Sequence, residues 1–245
     1  KLFDYDDSCL DGLGEVAKID EIKSDNGDKD IIITDVNNQT IVFTINKYNQ
    51  IIGYSNTNLT KVRKNFLAHN RYVKTVSLPN VTKIEDNFLN RAVALKSIDI
   101  SKVETIGNSC MRFCKNIKSL SLPNLKVVGS KFLDRSVSIS SLYAPKLEKV
   151  GDSFLESNAN LENIDFPNLC EIGSYFLLSN NLIKSINLPN VTSIGSHCLI
   201  CNEALEEIKL PKVKKIGANF LESNLSLKEV NFPLLESCGE SFLSS

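Results

Sequence analysis

Apolar residues recur along this chain in columns set 22 positions apart. One column reads Val76, Ile98, Leu120, Leu142, Ile164, Ile186, Ile208 and Val230, with polar residues mostly on either side. Each copy therefore shows the alternation of a half-buried strand. Written from its first apolar column, the unit is L-x-x-I-x-L-P-N-L-x-x-I-G-x-x-F-L-x-x-N-x-x, and the cleanest copy is LENIDFPNLCEIGSYFLLSN from Leu161. Units begin at Ile51, Val73, Leu95, Ile117, Ile139, Leu161, Ile183, Leu205 and Leu227, giving eight full units and a shortened ninth over 51–245. A leucine-type period of roughly 20–29 residues predicts a solenoid. The expected fold is a right-handed superhelix of nine 22-residue coils with a parallel β-sheet.

Two further lattices punctuate the unit. All seven prolines, at 79, 123, 145, 167, 189, 211 and 233, fall on one of them, broken only at Ser101. Seven of the eleven glycines, from Gly107 to Gly239, fall on the other. Proline cannot donate to a strand ladder and so ends the first strand. A second short extended stretch, L-x-x-I, follows, and glycine is expected to turn the chain. Asp86, Asn108, Ser130, Asp152, Ser174 and Ser196 come next. They read as N-caps of a single helical or 3₁₀ turn bearing the Phe-Leu pair. Each strand should pair in parallel with its copy one coil away, at about 4.8 Å.

Stacking turns columns into ladders. Phe66, Phe88, Phe132, Phe154, Phe176, Phe220 and Phe242 should form an aromatic spine, with Cys110 and Cys198 as small replacements. Asn158, Asn180, Asn202 and Asn224 form a second column, whose amides can satisfy backbone groups of adjacent coils. One unit cannot bury its apolar face alone, so stability is a sum over neighbouring interfaces.

The run L-x-x-I-x-L-P, then L-x-x-I-G-x-x, two apolar residues, x-x and Asn or Cys, resembles the BspA-like leucine-rich repeats. The resemblance covers residues 51–245. The unit is one residue shorter after proline than is common there, and Phe154-Leu155 stands where Ala-Phe is usual. What the resemblance implies is a surface or secreted binding protein.

Residues 1–50 carry neither lattice. The β-branched runs Asp30–Val36 and Gln39–Ile45 flank Asn37-Asn38, a hairpin signal. A small β-rich cap over the first coil is expected, with a short helix in the acidic stretch 1–29. The first unit agrees with a capped end, carrying Asn56, Thr57 and Arg63 where later units have an apolar residue, Pro and Gly. The last coil ends Ser-Phe-Leu-Ser-Ser without a polar cap. Its aromatic column is expected to be covered by further chain, by a partner or by end-to-end contact, with the oligomeric state left open.

Composition is ordinary for a folded domain, with 42% apolar and 23% charged residues. Seven cysteines, with Cys110, Cys198 and Cys238 in apolar columns and Cys114 in the asparagine column, argue for free thiols rather than a disulfide framework. Free thiols also leave a cytoplasmic location open beside the surface or secreted one. Cys198-x-x-Cys201 has half a zinc-site spacing without a second pair on a nearby coil. No stretch is apolar enough to span a membrane.

Net charge of −1 conceals segregation. Residues 1–50 hold 5 basic and 11 acidic side chains, 51–150 hold 17 and 6, and 151–245 hold 6 and 12. Lys74, Lys96 and Lys118 occupy one column on three successive units, with Arg71 and Lys115 three residues before two of them. Stacked like charges cost stability, so either the side chains fan into solvent or an anionic partner compensates. The slightly acidic chain offers no aromatic platform beside the lysines for nucleic acid.

Phosphate loops, dinucleotide fingerprints, zinc-protease and serine-hydrolase motifs are absent. His69 and His197 are nearly six coils apart, and a Cys198–His197 dyad has no orienting carboxylate in view. No cofactor or metal is expected. The reading is a non-enzymatic binding or adhesion module presenting its strand face to a protein or glycan. The exposed strand columns supply Ser97, Asp99, Ser119, Ser121, Ser141, Tyr143, Asn163 and Asp165, with Tyr143 as the one aromatic anchor. The alternative is the targeting half of a larger enzyme or effector.

Overall fold

The computed structural model describes residues 7–244. Four antiparallel strands open it: β1 (Val16–Lys23), β2 (Lys29–Asp35), β3 (Thr40–Ile45) and β4 (Ile51–Asn56). The β2–β3 hairpin forms where the two β-branched runs predict it, pairing Lys29 with Ile45 through Thr34 with Thr40. Asp35 closes its turn by accepting the N–H groups of Gly14, Asn37 and Gln39, each at 2.8 Å. The helix expected within 1–29 is reduced to a 3₁₀ turn, Asp7–Leu10, and the stretch continues as β1 instead. Residues 1–6 of that stretch lie outside the described residues.

The β4 strand hands the antiparallel sheet over to the solenoid: one edge pairs antiparallel with β3, the other parallel with Thr75–Ser77. The turn before β1 straps the open end of the core. Cys9 is buried, its carbonyl accepts the Tyr54 hydroxyl at 2.8 Å, and Asp11 accepts the Asn56 amide at 3.0 Å. Asn56, polar where later units are apolar, thereby finds its partners in the strap.

Each later coil but the one from Leu161 contributes two short strands. The L-x-x-I stretches form one uninterrupted parallel sheet of nine, from Lys61–Val62 to Ser237–Cys238, so eight turns and part of a ninth are stacked. The x-I-x stretches, expected to run as one sheet, are broken into three plates. Pairing lapses between Ser97–Asp99 and Ser119–Ser121, and again between Ser141–Tyr143 and Ser185–Asn187. The first break sits at Ser101, where the proline lattice also fails and Asp99 folds back to accept the Ser101 N–H at 3.2 Å. At the second, Asn163–Asp165 joins no strand.

The helical turn expected after each glycine does not form. In the coil from Gly151, Ser153, Leu155 and Ser157 take φ of 56°, 55° and 57°, a left-handed residue at every second position. Their N–H groups leave the coil: Ser153 donates to Ser174, Leu155 to Phe132 and Ser157 to Leu178. Left-handed leucine is unfavourable in isolation, but here each strained residue gains a hydrogen bond to a neighbouring coil. The supposed N-caps act between coils as well. Asp86 accepts the N–H of Asn108, Asn108 that of Ser130, Ser130 that of Asp152 and Asp152 that of Ser174, at 2.7–3.1 Å.

The lattice glycines have another cause than the turn assigned to them. None of the seven has a positive φ. A Cβ on Gly151 would lie 2.6 Å from the Ser130 nitrogen and 2.7 Å from the Gly129 carbonyl carbon. Glycine is required because consecutive coils touch backbone to backbone.

The core runs along the axis. Phe66 and Phe88 stack at 6.0 Å, Phe132 and Phe154 at 6.0 Å, and Phe154 and Phe176 at 5.9 Å with planes 6° apart. Phe43 and Tyr54 extend the spine into the antiparallel sheet through edge contacts of 5.2 and 5.1 Å. Among the described residues no helix is long and apolar enough to cross a membrane.

Candidate binding surface

The strand face carries the columns singled out from the sequence, and Ser97, Asp99, Ser119, Ser121, Ser141, Tyr143, Asn163 and Asp165 are all exposed on it. They do not share one flat sheet. Ser97 and Asp99 belong to the first plate, Ser119 with Ser141 and Ser121 with Tyr143 pair in the second, and Asn163 and Asp165 lie in the unpaired coil beyond. Tyr143 stands out at 57% exposure.

The first plate is recessed. A shallow groove of about 340 Å³ crosses the junction of β3, β4 and the next two strands, floored by Val42, Tyr54, Val76 and Ile98. Thr44, Ser55, Thr75, Ser77, Ser97 and Asp99 line its walls with hydroxyls and one carboxylate. Gly53, paired between Thr44 and Thr75, keeps it open. A Cβ there would come within 3.0 Å of both threonine side chains. Strand alternation finds Thr75, Ser97 and Asp99, but the groove depends also on Gly53 in the first unit and on Thr44 of β3, outside the repeats.

The basic edge is divided by the same break. Lys74 and Lys96 stand on neighbouring rungs, with the Lys96 N–H donating to the Lys74 carbonyl at 2.8 Å. Lys118 lies across the lapse, bonded onward to Ser140. All three are exposed, as are Arg71 and Lys115, and none of the five makes an ion pair among the described residues. Ladders elsewhere close: Lys126–Glu104, Lys149–Glu171 and Lys228–Glu206 meet at 2.7–2.9 Å across 22 residues. The Glu104 hydrogen bond holds the Lys126 ammonium above its ordinary value, and Lys228 holds the Glu206 carboxyl below its own.

The thiols are structural. All seven cysteines are free. Cys110, Cys114 and Cys198 donate to carbonyls 25 residues earlier, those of Glu85, Leu89 and Gly173, at 3.2–3.3 Å. Burial pushes each of the three up to about 12. Burial thus holds Cys198 in its neutral thiol form, with the S–H engaged by the Gly173 carbonyl. Its neighbour His197 is occupied on the opposite side, stacked on Tyr175 at 4.9 Å and 12°. Among the described residues no group of three His, Cys, Asp or Glu side chains could hold a metal ion.

One constellation escaped the sequence reading although its signal lay on the lattice. Arg91, Phe113 and Arg135 share a column, and Arg112 precedes Phe113. The three guanidinium carbons sit 5.1, 5.9 and 4.6 Å from the Phe113 ring centroid, in the order Arg91, Arg135, Arg112. Arg112 also donates through Nε to the buried Asp134.

A leucine-rich repeat protein from Bacteroides ovatus, known from a crystal structure, is similar at 14% identity and a TM-score of 0.42, over 97% of this chain and 79% of its own. No curated protein matches. The family model for the BspA type leucine rich repeat region matches residues 42–158 and 126–244, in six copies. The chain is thus a member of the BspA-type leucine-rich repeat family.

Proposed function

We propose that this solenoid is a non-enzymatic binding module whose first plate docks an anionic glycan. The observation that carries the reading is a juxtaposition. The hydroxyl-lined groove includes Thr75 and Ser97, and each directly follows an exposed lysine without an ion pair, Lys74 and Lys96. Hydroxyls and a lone carboxylate such as Asp99 suit sugar hydroxyls, which both donate and accept. The adjoining ammonium groups suit acidic substituents. A neutral glycan would leave the lysines unused; an acidic peptide brings few groups that both donate and accept, as the hydroxyl-lined walls require.

Such a partner matches a secreted or cell-surface setting. The test is a glycan array probed with the intact chain at low and raised salt. Retention of acidic glycans that fades with salt supports the reading, since exposed charge pairs are screened within about 10 Å at 0.1 M. Retention of neutral glycans alone, or of none while an acidic protein is captured, removes it.

A further inference from the structure

We infer that Arg91, Arg112 and Arg135 form a second anion site, through which the glycan proposed above is gripped across three coils. The inference rests on that reading of the partner but on different residues.

Three guanidinium groups lie within 6 Å of one phenyl centroid, so Arg91 and Arg135 are at most about 11 Å apart. Among the described residues Asp134 is the one carboxylate that pairs with them. Asp134 accepts Arg112 Nε, and its other oxygen is 3.6 Å from Arg135 Nε without a hydrogen bond. The cluster therefore keeps two positive charges in excess. Arg91 is exposed and makes no ion pair or side-chain hydrogen bond among the described residues.

The geometry is prepared. The three guanidinium carbons crowd one phenyl ring, and Arg91 and Arg135 keep N–H groups without a hydrogen bond among the described residues; such groups match two coplanar oxygens of a carboxylate or sulfate. The column is polar and uncharged farther along, at Ser157, Ser179 and Ser223, so the arginines are not a requirement of the coil. Asp134 fixes Arg112, leaving Arg91 and Arg135 as grips on consecutive odd rungs, two coils apart.

The backbone favours a glycan over an acidic peptide. Arg91, Phe113 and Arg135 donate their N–H groups to Arg112, Asp134 and Glu156 on the next coil. An extended peptide gains affinity by adding main-chain hydrogen bonds, and here those donors are spent. Only side-chain charge is on offer, which suits a stiff polymer bearing anions at intervals.

The experiment measures binding of dextran sulfate and of poly-L-glutamate to the full chain by calorimetry. Arg91→Gln/Arg135→Gln should weaken dextran sulfate at least tenfold and flatten its salt dependence, with an unchanged melting temperature because both side chains are exposed. Arg91→Lys/Arg135→Lys, which keeps the charge and removes the planar fork, should fall in between. Dextran sulfate bound within twofold of wild type by the glutamine variant overturns the site. Tighter binding of poly-L-glutamate than of dextran sulfate overturns the glycan assignment. Lys74→Gln/Lys96→Gln separates the two claims: loss with this pair but not with the arginine pair keeps the groove reading and discards the arginine site.

Discussion

The side-chain amide of the fully buried Asn180 donates to the carbonyl of Leu155, 25 residues earlier, at 2.9 Å. Asn158 and Asn224 repeat the bond to Leu133 and Leu199, and Ser136 makes it with a hydroxyl to Met111 at 2.8 Å. The position also takes Cys114, whose thiol donates to Leu89, and Ala92, which has no side-chain donor, while the Asn202 amide bonds within its own coil to Ile200.

Removing that donor should be costly and donor-specific. Asn180→Ala removes the donor from the Leu155 carbonyl and should cost about 1–3 kcal/mol. Asn180→Ser should recover part of the loss, as Ser136 shows is possible. Denaturant midpoints read both, and equal losses for the two variants would show that volume rather than hydrogen bonding matters.

Gly151→Ala should destabilise although its φ is ordinary, because the new Cβ presses on the Ser130 nitrogen at 2.6 Å. Overpacking against backbone costs about 1–3 kcal/mol. Gly53→Ala should narrow the groove between Thr44 and Thr75 and weaken glycan binding more than it lowers the melting temperature. An unchanged affinity would remove the groove from the site.

Thiol labelling should follow burial. Cys238 is exposed and should react first, Cys170 and Cys201 next. Cys110, Cys114 and Cys198, with thiols raised to about 12, should react only on unfolding. Alkylation in denaturant should add seven labels in total, and fewer would reveal a bridge.

Acid should loosen the hairpin at Asp35. The Gly14 N–H above all, with those of Gln39 and Asn37, holds the carboxyl below its ordinary 3.8. A lowered folded value means stability present above that pH and lost as pH falls through the folded value. Asp35→Asn should flatten the acid limb of a melting-temperature profile below pH 3.8. An identical limb in the variant would place the acid sensitivity elsewhere.

The lysine column should act as two parts. Lys74→Glu/Lys96→Glu should abolish salt-sensitive binding, whereas Lys118→Glu, across the sheet break, should weaken it less. Replacing Lys184 and Lys228, on the balanced ladder, should change little. Equal effects everywhere would mean that only net charge matters.

By itself the sequence determined the coil, its period, the two strand segments, the phenylalanine and asparagine columns and the column of lysines. Each follows from burial or charge repeating at a spacing of 22 residues, which is visible in one dimension. The tertiary structure decided the rest. Left-handed Ser153, Leu155 and Ser157 are stabilised by bonds to Ser174, Phe132 and Leu178, so local propensity misread that side of the coil as a helical turn. Gly151 answers to the approach of Ser130 rather than to its own dihedrals. The groove at Gly53 and the guanidinium groups around Phe113 arise where neighbouring coils meet, and no single 22-residue unit contains either of them.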